Sequence, residues 1–491
     1  VRDVLFVLAC VAVGGFVAVL AVLGMIGAPV GFDEAYVAQS PWNLALGNGY
    51  ASFDWQFGDG YRPFDTLTST GPAVLLPVAA VFAVFGVGVV QLRATMLVFL
   101  ALLVAATFLV GRRVAGRWAG LVAVVAVLAL DLRYDFPYTA TWSLVDGLGE
   151  LPAAAFLLTG ALLLRRSKTG AAVLVGVAAL CKLVAFLAVP AFLAVILLTP
   201  GEPVRRRIRN AVVFGLWAIS PTVLWEAVKL VVLGPTEYLE SLLAYGSFVL
   251  HSGSGIAPTG LVHDLFSRSG YLLGAFHLPW WGAFASLLVL LAATALAIVT
   301  RFRSGGPVRR DPRFAVVVAG AGTVALFLLW WIVISESFFA RHSFPGLLLA
   351  APLLAVGGCA GLAILLRAGG WRRVVAVLVA LAWLPVVGWQ TVGQLGDVTS
   401  APAYSRADQQ AVAAWLVENA PDGVQHIDYW QNPELRLLSL VDSEPYPTGS
   451  GPLVLSPQMR DLAPELFATS VALCDDILYD EDDFIVCATR P

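Results

Sequence analysis

Long apolar runs broken by short charged loops set the pattern of this chain. Val4–Ala28 is the first run, and a polar stretch, Pro29–Gly71, follows it. Further runs cover Pro72–Val90, Leu92–Val110, Trp118–Leu130, Leu151–Leu164, Gly170–Leu198, Asn210–Leu233, Trp281–Thr300, Phe314–Ser335, Phe344–Leu366 and Val374–Gly393. A helix needs about 20 apolar residues to cross a bilayer, so most of these runs predict transmembrane helices. Val4–Ala28 is too long for a signal-peptide core and shows no clear cleavage site, which predicts a first span with its N-terminus in the cytoplasm.

The loops fix the expected direction of each span. Basic residues collect at 112–117, 165–168, 205–209, 301–313 and 367–373. Short basic loops stay in the cytoplasm, so these five belong on one side. That requirement makes Pro72–Val90 an interfacial helix in the outer loop 29–91, because a spanning helix there would put Arg112, Arg113 and Arg117 outside. It also makes Gly170–Leu198 a hairpin interrupted by Lys182. The expected architecture is an α-helical polytopic membrane domain over 1–393, with about eleven transmembrane helices. The tail 394–491 has short apolar runs, such as Gln410–Val417 and Phe484–Cys487, between Pro, Gly, Asp and Asn, and predicts a small extracytoplasmic α/β domain.

Composition agrees with the pattern and excludes other classes. Of 491 residues 59% are hydrophobic and 13% charged, and the mean hydropathy is +0.82. With 30 basic against 33 acidic residues and no basic tract outside the short loops, nothing points to nucleic acid.

In so apolar a chain, charge near a membrane segment needs a reason. Asp33-Glu34 stands just after the first span, Arg93 begins another, and Asp131, Arg133, Asp135, Asp146 and Glu150 occupy a second outer loop. Lys182 breaks an apolar run, and Arg341-His342 precedes the span Phe344–Leu366. Converging on one outward cavity, these groups suit an amphiphile with an anionic head, the cations pairing with phosphate and a carboxylate taking a hydroxyl proton. Each residue also has a structural reading. Asp33 can cap a helix, Arg93 can snorkel to the head groups, Glu150 can complement a helix dipole, and Arg341 and His342 can be interface residues. The same cavity could serve a transporter or flippase of an anionic lipid, or the chain could be a scaffold for its exported domain. Cys474 and Cys487 either form a disulfide in an oxidising compartment or remain two buried thiols.

These motifs, in order, resemble the GT-C superfamily of integral-membrane glycosyltransferases, in the branch of protein O-mannosyltransferases and the lipid A aminoarabinose transferase. The resemblance rests on Asp33-Glu34, Thr70-Gly71-Pro72, Leu92-Arg93, Glu150-Leu-Pro152, Cys181-Lys182 and Arg341-His-Ser-Phe-Pro345 with Pro352. Departures are the missing Lys or His before Gly71-Pro72, Tyr36 one position early, and Glu150 where Asp is commoner. The resemblance implies an inverting transfer from a polyprenyl-phosphate sugar to a hydroxyl of a cell-envelope glycan, glycolipid or protein, at the outer face of the plasma membrane; the Arg-rich, Lys-poor, Ala-, Val- and Gly-heavy usage points to a bacterial source. It makes Asp33 the catalytic base and Glu34, Arg93, Asp135, Glu150, Lys182, Arg341 and His342 substrate-binding residues. No cofactor is implied. A divalent metal on the carboxylates and His342 fits the residue types but matches no metal-binding spacing.

Overall fold

The computed structural model describes residues 2–54, 60–130, 144–199, 201–250, 266–270, 312–335, 340–397, 404–419, 425–428, 431–441, 443–445, 452–481 and 483–489. Helix α1 (Arg2–Ile26) is followed at once by α2 (Phe32–Leu46), which ends in a left-handed Gly47 whose N–H returns to Asn43 and Leu44 carbonyls. A small antiparallel hairpin, β1 (Ala51–Asp54) with β2 (Gly60–Pro63), lies between α2 and α3 (Pro72–Phe85). The expected helix over 72–90 stops at Phe85, because Gly86 takes a φ of 85° that ends the helical run; α4 (Val89–Ala115) then begins afresh. At 1.5 Å per residue α3 is about 21 Å long, short of a hydrocarbon core of roughly 30 Å.

The next helices are α5 (Arg117–Leu128), α6 (Glu150–Leu163) and α7 (Lys168–Cys181), the last capped by Ser167 Oγ accepting from Gly170 N. Lys182 is extended, at φ −150° and ψ 117°, and a short 3-10 turn (Leu183–Ala188) leads into α8 (Val189–Leu197). The sequence break at Lys182 is thus a break in the backbone. Helix α9 (Val204–Leu250) is kinked at Gly234, which has φ 78° and precedes Pro235. Helix α10 (Pro312–Leu329) runs into a π turn at Trp330–Ile334, and α11 (Phe344–Ala368) and α12 (Gly370–Asp397) complete the bundle.

Five of these helices are long and apolar enough to cross a membrane, and five shorter apolar ones accompany them, among the described residues. The chain is a multi-pass membrane protein. The expected span Trp281–Thr300 lies outside the described residues. The helices pack through small side chains: Ala153, Ala154 and Ala155 on α6 and Ala171, Ala172 and Ala178 on α7 are fully buried, which lets the two backbones approach closely. At one end of the bundle the basic loops interlock. Arg113 donates to the Leu162 carbonyl at 3.0 Å, Arg165 to Thr199 Oγ1 at 3.2 Å, and Lys168 pairs with Glu202 at 3.3 Å. The Asp33, Glu34, Glu150 and Lys182 positions all belong to the opposite helix ends.

The tail carries a five-stranded sheet of order β4-β3-β5-β7-β6, from β3 (Gln425–Ile427), β4 (Ser443–Pro445), β5 (Pro452–Leu455), β6 (Cys474–Glu481) and β7 (Phe484–Thr489). The first three strands are parallel and the last two antiparallel. Helices α13 (Arg406–Asn419), α14 (Asn432–Ser439), α15 (Pro457–Leu462) and α16 (Pro464–Val471) accompany the sheet. Cys474 and Cys487, on the paired strands β6 and β7, form a disulfide with Cα atoms 5.4 Å apart.

Candidate active site

Two buried ion pairs stand at one end of the bundle. In the first, Arg93 grips Glu34 through both carboxylate oxygens, Nε to Oε1 at 2.9 Å and Nη2 to Oε2 at 2.6 Å. The same guanidinium donates to the carbonyls of Gly24 at 2.6 Å, Ala28 at 2.7 Å and Pro29 at 2.8 Å. Glu34 is 2% exposed and Arg93 fully buried. In the second, Lys182 Nζ lies 2.7 Å from Glu150 Oε1 and donates to Ser69 Oγ at 3.1 Å.

The segment Asp146–Glu150 ties the two pairs together. Asp146 stands 3.7 Å from Arg93, Gly147 N donates to Glu34 Oε1 at 3.1 Å, Gly149 N donates to Thr70 Oγ1 at 3.1 Å, and Glu150 holds Lys182. Two glycines make this possible. A Cβ on Gly71 or on Gly149 would sit 2.1 Å from the carbonyl oxygen of Leu180 or Cys181, so only glycine lets the two loops press against the last turn of α7. Gly71 N accepts the opportunity and donates to Cys181 O at 3.0 Å. The motifs Thr70-Gly71-Pro72, Glu150-Leu-Pro152 and Cys181-Lys182 therefore meet at one point.

A cleft of about 110 Å³ opens beside this junction, between the loop 64–72, the end of α7 and one face of α9. Tyr50, Phe64 and Trp225 form an aromatic wall, the Trp225 ring edge-on to Tyr50 and Phe64 at centroid distances of 5.0 and 5.6 Å. Ser69, Thr68, Thr70 and Thr222 supply hydroxyls, and Asp65 and Glu226 carboxylates. Tyr36 Oη donates to Asp65 Oδ2, linking the cleft to the first turns of α2. Lys229, 3.2 Å from Glu226 and close to the Tyr238 and Tyr245 rings, is a cation on the cleft lining itself.

The expected residues separate accordingly. Asp33 is half-buried in the first turn of α2, but the N-cap there is Gly31, so Asp33 is not the cap. Arg93 neither snorkels nor keeps a donor for a phosphate. All five of its N–H groups are taken within the chain, by Glu34 and by the carbonyls of Gly24, Ala28 and Pro29. Glu150 and Lys182 are one pair rather than two independent groups. His342 is half-buried, its ring 6.4 Å from Trp330. Asp135 and the Arg341 side chain lie outside the described residues. The sequence reading missed Asp65, Trp225, Glu226 and Lys229. A glutamate and lysine three apart near the end of the apolar run Asn210–Leu233 were the signal that could have found the last two. Among the described residues no three His, Cys, Asp or Glu gather as a metal-binding group.

The α/β unit closes over the Glu34 side. Arg436 stacks its guanidinium 3.6 Å from the Phe53 ring centroid, and Leu437 packs with Val30, Ala35, Trp42 and Leu92. Burial, then repulsion from Arg93, pulls the Arg406 guanidinium down to about 10, with Glu34 acting the other way. Glu434 is fully buried and neither carboxylate oxygen has a hydrogen-bond partner among the described residues. Burial raises its pKa well above the usual value, and Asp428 and Glu34 raise it further. A carboxyl with a raised folded-state pKa contributes stability that is full below its unfolded value of 4.5 and is lost as pH rises through the folded value. Glu434→Gln is expected to raise the thermal midpoint at pH 8 and flatten its decline above pH 4.5; an unchanged pH slope would contradict the assignment.

The fold is a bundle of apolar helices with an α/β unit seated on its polar end. No family model and no curated protein matches the sequence. Among solved structures, ArnT from Cupriavidus metallidurans bound to undecaprenyl phosphate, the lipid A aminoarabinose transferase, superposes with TM-score 0.61 over 99% of this chain and 98% of that one, at 17% identity. The Archaeoglobus fulgidus oligosaccharyltransferase in complex with Zn and sulfate gives 0.52 over 93% of this chain and 66% of that one, at 14% identity. The oligosaccharyltransferase AglB from the same organism, with an inhibitory peptide and dolichol-phosphate, gives 0.52 over 94% and 68%, at 13% identity. At these identities the likeness is one of fold.

Proposed function

We propose that the protein is an inverting glycosyltransferase that moves a sugar from a polyprenyl-phosphate donor to a hydroxyl acceptor on the extracytoplasmic side of the membrane. The observation that carries the reading is the junction of Lys182, Glu150 and Ser69 at the edge of a cleft walled by aromatics and hydroxyls, linked to the first turns of α2 by Tyr36. Aromatic faces and hydroxyls suit a sugar, and a buried ammonium suits a phosphate. ArnT and AglB, whose folds this chain shares, were solved with undecaprenyl phosphate and dolichol-phosphate.

The Lys182 ammonium has three donors, of which Ser69 takes one, with Glu150 paired to it at 2.7 Å, so donor capacity remains for a phosphate oxygen. Lys229 adds a cation on the cleft lining, and Arg341 is a third candidate. Asp33 takes the acceptor's hydroxyl proton as that oxygen bonds to the anomeric carbon from the face opposite the phosphate. The bond from the anomeric carbon to the phosphate oxygen breaks, its electron pair stays on phosphate, and the sugar inverts. The departing phosphate is already a good leaving group, so no second carboxylic acid is required, unlike in glycoside hydrolysis. Glu34, Glu150 and His342 orient sugar and acceptor, Glu34 from its place under Arg93.

Lys182→Met is expected to weaken polyprenyl-phosphate binding by roughly 10- to 100-fold, the equivalent of one charged hydrogen bond. It also strands Glu150, so the double variant with Glu150→Gln should recover the thermal midpoint without recovering binding; recovery of both would refute the phosphate role. For the function itself, purified protein in nanodiscs is given radiolabelled polyprenyl-phosphate mannose or arabinose. Label in a hydroxyl-linked product with equimolar free polyprenyl phosphate supports transfer. Translocation of intact labelled lipid across a vesicle membrane would instead favour a flippase.

A further inference from the structure

The α1–α2 turn, which leads directly into Asp33 and Glu34, is held from two sides. From within the bundle Arg93 takes the Ala28 and Pro29 carbonyls. From the α/β unit, 379 residues away, Gln409 takes the next residue at both of its backbone groups: Val30 N donates to Gln409 Oε1 at 2.8 Å, and Gln409 Nε2 donates to Val30 O at 3.0 Å. Val30 and Gln409 are both fully buried, so water cannot replace either bond without opening the interface.

Gln409 is itself fixed by a line of amides through the interior of the α/β unit. Its Nε2 also donates to Gln431 Oε1 at 3.1 Å, Gln431 Nε2 donates to Gln458 Oε1 at 2.6 Å, and Gln458 Nε2 donates to Tyr404 Oη at 2.9 Å. Gln431, Gln458 and Tyr404 are buried. Each amide uses its carbonyl toward one neighbour and its NH2 toward the next, so rotating Gln409 breaks bonds at both ends. A chain of this kind has a defined geometry that an apolar contact lacks. It terminates three residues before Asp33.

From this arrangement we infer that Gln409 is a positioning residue for the transfer reaction: it locks the backbone ahead of Asp33, so the α/β unit is part of the catalytic device rather than an appended module. The inference rests on the proposed transferase reading for its kinetic consequence, while the lock itself is a matter of geometry. A base displaced by about 1 Å loses on the order of 10²-fold in rate, whereas the polar partners of Lys182, Glu150 and Ser69, lie outside this turn.

The test compares full-length wild type with Gln409→Met, which keeps volume and loses all three hydrogen bonds, and Gln409→Glu. Amide exchange at Val30 is read by mass spectrometry alongside kcat and donor KM. In Gln409→Met, exchange across 28–36 should quicken at least 10-fold while the sheet residues 452–455 keep their protection, and kcat should fall roughly 10- to 100-fold with donor KM within twofold. Gln409→Glu should recover kcat relative to wild type at the same pH as pH is lowered, since the protonated carboxyl again both accepts from Val30 N and donates to Val30 O; the ratio removes the loss that protonating Asp33 causes in both proteins. Should Gln409→Met fail to fold, the pH rescue of Gln409→Glu decides. Unchanged exchange at 28–36, unchanged kcat, or a loss confined to KM overturns the positioning role. Absence of transfer by wild type on any donor would sink the transferase reading instead, and the exchange comparison would then decide the lock alone.

Discussion

Asp33→Asn is expected to bind polyprenyl phosphate as wild type does and to transfer sugar on the order of 10³-fold more slowly, the usual weight of a positioned general base. Asparagine keeps the size and the α2 helix start, because the N-cap is Gly31. It cannot take a proton. The measurement is single-turnover transfer with a labelled donor, paired with lipid binding on the same preparation. A wild-type rate in the variant would remove Asp33 from the chemistry, and a parallel loss of binding would make it a structural residue.

Arg93→Met should cost about 3–5 kcal/mol, because it leaves Glu34 as an uncompensated buried charge. The three carbonyls of Gly24, Ala28 and Pro29 lose their donor in the same step. Against a total stability of about 5–15 kcal/mol this is a large fraction, and most of the protein should fail to reach a folded, detergent-stable form. Arg93→Lys keeps a charge but not the fork that reaches two oxygens of Glu34 and three carbonyls, so it should fall between, read as a thermal midpoint between wild type and the methionine variant. Wild-type stability in Arg93→Met would mean that the buried cluster is held by something other than this guanidinium.

The helical frame was legible because lipid makes every backbone group find its partner inside its own segment, which writes span length into the apolar runs. Val4–Ala28 became Arg2–Ile26, Phe344–Leu366 became Phe344–Ala368, and the lysine at 182 marked the break between α7 and the 3-10 turn. Where glycine ends a helix without a polar signal, as at Gly86, the apolar run over 72–90 hid the boundary. The site was legible as a set of motifs but not as a wiring diagram. That Arg93 serves Glu34 and Lys182 serves Glu150 depends on which loops approach closely, and this in turn depends on the bare backbones of Gly71 and Gly149 against the end of α7. Gln409 carried no signal, since a glutamine in a polar tail looks like a solvated helix face until its partner, Val30, is known.

Photocrosslinking reads directly whether a lipid phosphate lies at the edge of the cleft where the loop 64–72 meets the end of α7. A polyprenyl phosphate with a diazirine beside its phosphate, bound to purified protein and irradiated, should label peptides spanning 64–72 and 222–229 in wild type, and markedly less in Lys182→Met with Glu150→Gln. Label confined to the lipid-facing surface of α1, undiminished in that variant, would contradict that placement.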